Sequence, residues 1–134
     1  MKKNGVLNSR LSYVLASLGH TDSVVVCDCG LPIPRDREKV DLALIKNVPR
    51  FIETVRVVLE EIHVEKAIIA TELESVNPKT YAQLIELLDG IETEKMPHEQ
   101  FKQLSAANRS TAFVRTGEAS PFANVILVSG VDFD

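Results

Sequence analysis

The stretch Leu18-Gly19-His20-Thr21-Asp22-Ser23-Val24-Val25-Val26-Cys27-Asp28-Cys29-Gly30-Leu31-Pro32-Ile33-Pro34 decides the fold. Gly19 can take the left-handed conformation that closes a last helical turn, so it predicts a helix end. Val24 to Cys27 is an apolar, β-branched run, the pattern of a strand buried on both faces. Pro32 and Pro34 then forbid further regular pairing. His20 and Asp28 bracket the strand, and a strand of six or seven residues is about 20 Å long. The two side chains can therefore share one pocket only in two ways. Either the chain before the strand folds back, or a neighbouring subunit supplies one of them.

Outward from this stretch, Asn8 or Ser9 can cap a helix through Leu18 with Leu11, Val14 or Leu15, and Leu18 on one face. Val40-Asp41-Leu42-Ala43-Leu44 alternates and predicts a short strand. Pro49 at a first helical position opens a helix from Arg50 to Ile62 that buries Phe51, Val55, Val58, Leu59 and Ile62. Lys66–Ala70 is a second buried-type strand. Asn77 and Pro78 open a helix to about Leu88. Asp89-Gly90 turns the chain into a strand, Ile91–Met96, and Pro97-His98-Glu99 opens a helix to about Ala106. Thr111–Arg115 and Asn124–Ser129 are the last strands, separated by the loop Thr116–Ala123. Strands alternating with helices of this length predict a single α/β domain over residues 1–134, a three-layer, Rossmann-like sandwich. Its sheet is expected to hold about six strands, mostly parallel, with helices on both faces.

Composition excludes several classes of function. The chain has 134 residues, a net charge of −4 and no basic run, so a nucleic-acid partner is not expected. No apolar stretch is long enough to span a bilayer, and the N-terminus leads into no signal-like run, so a cytoplasmic location is expected. Cys27 and Cys29 share a strand face at a spacing near the limit for a bridge. No further ligand lies at metal-site spacing, so no metal is expected and both cysteines read as small apolar packers. Neither a GxGxxG nor a Walker pattern occurs.

In parallel sheets ligands bind beyond the carboxyl ends of the strands. That rule singles out Asp28, Glu72 and His98. There are three histidines, and only imidazole titrates near neutrality unaided. His98 begins a helix and His20 follows one, so the helix dipoles bias the two rings in opposite senses. Such a pair suits proton shuttling. Lys102 lies four residues after His98 and rises from the same helix face. His63, among Glu60, Glu61 and Glu65, reads as solvated surface, and Glu72 and Glu74 read first as solvent-facing charges.

Lys2-Lys3, Val6-Leu7-Asn8-Ser9, Leu18-Gly19-His20-Thr21-Asp22, Asp28 and Gly30-Leu31-Pro32-Ile33-Pro34 resemble, in order and spacing, the ribose pyranase and fucose mutarotase family. So do His98-Glu99-Gln100-Phe101-Lys102 and the run from Val114 to Asn124, and the resemblance covers nearly the whole chain. The LPIP loop and the HEQFK helix favour the ribose branch. The resemblance implies a cofactor-free isomerase that interconverts pyranose and furanose forms of D-ribose by acid–base ring opening and reclosure. It implies a homo-oligomer, a decamer of two pentameric rings, with sites between neighbouring subunits. By position His20 would be the proton donor, and Asp28 a sugar ligand that also orients it. His98 and Lys102 would bind sugar hydroxyls. Phe122, Ala123 and Asn124 would reach into the adjacent subunit's site. The family usually carries tyrosine where this chain has Phe122, so a ring is kept and a hydroxyl is lost. A mutarotase for fucose or another monosaccharide, and a non-catalytic sugar-binding ring, are the competing functions.

Overall fold

Asn8 starts the first helix, α1 (Ser9–Ala16), by accepting the Leu11 N–H on its side-chain oxygen at 2.9 Å. The computed structural model describes residues 1–133. The chain then runs through β1 (Ser23–Cys27), β2 (Glu38–Asp41), α2 (Phe51–Glu61), β3 (Val64–Ala70), α3 (Thr71–Val76) and α4 (Pro78–Leu87). It finishes with β4 (Glu92–Met96), α5 (His98–Ala107), β5 (Thr111–Arg115) and β6 (Val125–Ser129). The six strands form one sheet in the order β2-β5-β1-β6-β3-β4.

The expectation of a mostly parallel sheet needs correction, because the sheet is mixed. β6 runs antiparallel to both of its neighbours, β1 and β3, while the other three pairings are parallel. The physical reason is the link from Arg115 to Val125, which is too short for the dozen or more residues a parallel crossover requires.

Every side chain of β1 is buried. With period two, Val24 and Val26 join one core and Val25 and Cys27 the other. The first core holds Leu11, Val14 and Leu15 of α1, Phe51, Val55 and Val58 of α2, Leu73 of α3 and Leu84 of α4. The second is smaller: α5 contributes Phe101, and the loop after β1 contributes Leu31. Helices thus lie on both faces, but very unequally.

Several local expectations shift. α1 stops at Ala16 rather than Leu18, and the left-handed residue after it is Thr21, at φ 69°, not Gly19. Tertiary bonds explain this choice. The Thr21 N–H donates to the Ser129 carbonyl at 2.9 Å, and the Asp22 carboxylate accepts the Gly19 N–H at 2.7 Å. β2 forms at Glu38–Asp41, ahead of the expected 40–44, because Val40 pairs with Val114 and Asp41 with Arg115. Pro49 stays outside α2, whose cap residue is Arg50. The short helix α3 was not expected, and it buries a single side chain, Leu73.

Candidate functional site

The carboxyl ends of β1, β3 and β4 and the start of β6 meet along one edge of the sheet. Asp28 follows β1 directly. Its Oδ1 accepts the Gly30 N–H at 2.9 Å, which bends the chain into a side-chain-closed turn. Asn124, fully buried, holds Asp28 from the other side. Its Oδ1 accepts the Asp28 N–H at 2.9 Å, and its Nδ2 donates to Asp28 Oδ2 at 3.2 Å. Buried polar groups are costly unless paired. This pair satisfies the amide and fixes the carboxylate together.

His98 is the first residue of α5, preceded by Pro97, which has no side chain able to cap a helix. Glu72, on α3, takes that task, and both its oxygens accept the His98 N–H, at 3.1 and 3.0 Å. The imidazole stacks on Phe101, with centroids 6.2 Å apart, and meets Phe122 edge-on at 5.0 Å. Its Nδ1 is enclosed and has no hydrogen-bond partner among the described residues.

Phe122 has φ 60°, a conformation bulky residues avoid because Cβ crowds the backbone. Such strain persists only where the surroundings over-determine it, and here the loop is tied at every turn. Thr116 donates both its N–H and its hydroxyl to the Cys27 carbonyl, at 3.0 and 2.7 Å. Gly117 lies so close to the loop before α2 that a Cβ would stand 2.5 Å from the Ile45 and Val48 carbonyl oxygens. Glu118, 2% exposed, accepts from Arg50 at 2.8 and 3.2 Å, from the Phe51 N–H at 3.0 Å and from the Ser120 hydroxyl at 2.8 Å. Burial pushes the Glu118 carboxyl up, but those hydrogen bonds and the Arg50 charge outweigh it and hold the group below its ordinary value. Asn77 spends its amide on Ser120 Oγ and the Pro121 carbonyl, both at 2.9 Å, instead of capping α4.

One chain thus joins Asp28 to Asn124 and His98 to Phe122, and the run Phe122-Ala123-Asn124 links the two pairs. Residues 122–124 pack against Asp28 and His98 of their own chain. Lys102 lies one turn beyond His98, with its ammonium 2.7 Å from Glu99. His20 is not brought to this edge. It sits at the opposite end of β1, and its Nε2 lies 3.0 Å from Glu65 Oε2. Asp28 therefore does not orient His20 within one chain. Sequence reasoning missed Glu65, Glu72, Thr116 and Glu118 as structural partners. The rule for strand ends had pointed to Glu72, but nothing in local spacing ties it to His98. Cys27 and Cys29 are both free, and burial pushes the Cys27 thiol up, leaving it inert.

A carboxylate, an amide and an imidazole framed by phenyl rings thus gather at the strand ends of an α/β sheet, the place where such folds hold ligands. The chain belongs to the RbsD / FucU transport protein family, whose model matches residues 1–132. It is 50% identical over 133 residues to the D-ribose pyranase of Coprothermobacter proteolyticus, covering 99% of this chain and all of that protein. It is 52% identical, with the same coverage, to the D-ribose pyranase of Laribacter hongkongensis. The structure of Bacillus subtilis RbsD complexed with D-ribose superposes with a TM-score of 0.92 at 44% identity, covering 99% of this chain and 100% of that one. The fucose mutarotase of Streptococcus pneumoniae, solved in complex with L-fucose, shares the fold, with a TM-score of 0.79 at 20% identity over 95% of each chain.

Proposed function

We propose that the chain is a D-ribose pyranase, an isomerase that interconverts the six- and five-membered rings of D-ribose without a cofactor, and that two copies complete each site. The observation that carries the site is the joined cluster of Asp28, Asn124, His98 and Phe122. The full-length identity to proteins named D-ribose pyranase supports the sugar and the reaction.

Opening the pyranose breaks the bond between the anomeric carbon and the ring oxygen. The ring oxygen gains a proton and the anomeric hydroxyl loses one. Closing the furanose repeats the exchange through a different hydroxyl, so no net proton is consumed. Positioned acid–base groups contribute about 10²–10⁴-fold to such steps. Asp28, held by the fully buried Asn124, suits a sugar hydroxyl as acceptor, and the His98 imidazole suits another. The Phe122 ring offers an apolar face to the sugar's C–H groups. Lys102 binds a further hydroxyl once its ammonium leaves Glu99, and the buried Ala123 joins Phe122 to Asn124.

His20 supplies the proton from a second copy. Its end of β1 and the Asp28 end are different surfaces, so a head-to-tail contact between copies would join them, and such a contact makes a ring when its rotation closes. Pentameric rings paired into a decamer in the cytoplasm fit this arrangement. So do Leu44 and Ile45, apolar yet 77% and 66% exposed beside the Gly117 loop. No helix of the described residues is long and apolar enough to cross a membrane.

Magnetisation-exchange NMR on D-ribose tests the activity. Faster pyranose–furanose exchange with protein is the expected result. Exchange no faster than in buffer overturns the proposal, and anomer exchange confined to fucose points to a mutarotase.

A further inference from the structure

We propose that Glu65 is the positioning residue of His20, holding Nε2 so that Nδ1 is the imidazole nitrogen that exchanges protons with the sugar. This deepens the ribose pyranase activity proposed above and rests on it.

Glu65 sits at a break in the β3–β6 ladder. Val64 pairs with Ser129 and Lys66 with Val128, which leaves Glu65 as the extra residue of a bulge. Bulges re-aim side chains and gather beside active sites. Here the carboxylate reaches His20, 45 residues earlier in the chain. His20 arrives from an equally unusual turn, because Thr21, a β-branched residue, stands at φ 69°. Both features converge on the end of β6. The Ser129 carbonyl accepts the Thr21 N–H, and the Gly130 N–H donates to the His63 carbonyl at 2.8 Å. A Cβ on Gly130 would stand 3.3 Å from Glu65 Cβ, so the backbones of the bulge and of the end of β6 are in contact. The His20 and Glu65 side chains are 53% and 44% exposed, and ion pairs so exposed contribute little to folding. A bulge and a left-handed threonine that together present a pair of small structural value point to function.

The carboxylate fixes the chemistry of the ring. Ionised, it only accepts hydrogen bonds, so His20 Nε2 carries hydrogen toward Glu65. The neutral ring then has its lone pair at Nδ1, and the cationic ring has its second proton there. Nδ1 can take the anomeric proton and return one to a ring oxygen, leaving Nε2 and Glu65 unchanged.

The test is the full-length protein with ¹⁵N-labelled histidine, compared as parent, Glu65→Ala and Glu65→Gln. The parent should show His20 in the Nε2–H form, and Glu65→Ala should lose that preference. Glu65→Ala should lower kcat for ribose exchange about ten- to hundredfold with KM little changed, short of the loss expected for the acid–base group itself. Glu65→Gln, which keeps an acceptor oxygen, should recover part of both signals. An unchanged tautomer and kcat in Glu65→Ala overturn the role of Glu65. Absence of exchange in the parent overturns the ribose activity instead, and the tautomer measurement still reports whether Glu65 holds the ring.

Discussion

Asn124 grips Asp28 with both ends of its amide, accepting the backbone N–H at 2.9 Å and donating to the carboxylate at 3.2 Å. The one residue thus closes the edge of the sheet between β1 and β6 and aims the acidic group of the site. Asn124→Ala should cost about 1–3 kcal/mol, since it leaves the half-buried Asp28 N–H without its acceptor and opens a void. The same variant should bind ribose more weakly, because the carboxylate loses its hold. Urea denaturation with calorimetric titration of ribose reads both, and a parental midpoint would remove the structural role.

Phe122 offers a ring without a hydroxyl, 5.0 Å from the His98 imidazole. Phe122→Tyr should strengthen ribose binding about two- to tenfold, the worth of one neutral hydrogen bond. Exchange should already be measurable in the parent. A gain of orders of magnitude in rate, from an inactive parent, would make the hydroxyl catalytic and the present chain a binding ring.

Much of this fold was legible because its signals are local. Val24 to Cys27 reads as a doubly buried strand from its own composition, and Asn8, Pro78 and Pro97 mark helix starts by their chemistry. The direction of β6 was not, because an apolar run such as Val125–Val128 looks the same in either direction. Only the shortness of the preceding loop carried that information. Thr21 inverts propensity outright, taking the left-handed turn that Gly19 was expected to make, since its N–H is bound to Ser129 across the sheet. The site divides in the same way. Asp28 and His98 stand out in the sequence by their place after strand ends. Glu65, Glu72 and Glu118 act on residues 45, 26 and 68 positions away, and no spacing rule reaches so far.

Glu118 makes stability depend on pH in a definite sense. Its carboxyl is held below the usual glutamate value despite burial, through its bonds to Arg50, the Phe51 N–H and Ser120. A lowered value means that its contribution is complete above the unfolded-state pKa and is lost as pH falls through the folded one. Glu118→Gln should therefore lose about 1–3 kcal/mol at pH 7. The gap between parent and variant should narrow as pH falls below the ordinary glutamate range, as the parent's own carboxyl protonates. Chemical denaturation across pH 3–8 checks this, and a gap that widens toward acid would contradict the assignment.

The central claim is that His20 of one copy serves the Asp28 cluster of another, and subunit mixing tests it most directly. His20→Ala and Asp28→Ala assemblies should each be folded and inactive in ribose exchange. Dissociated, mixed in equal amounts and reassembled, they place an intact His20 beside an intact Asp28 cluster at about one contact in four. The account predicts recovery of about a quarter of parental exchange. Folded mixed assemblies with no exchange above the single variants would contradict it.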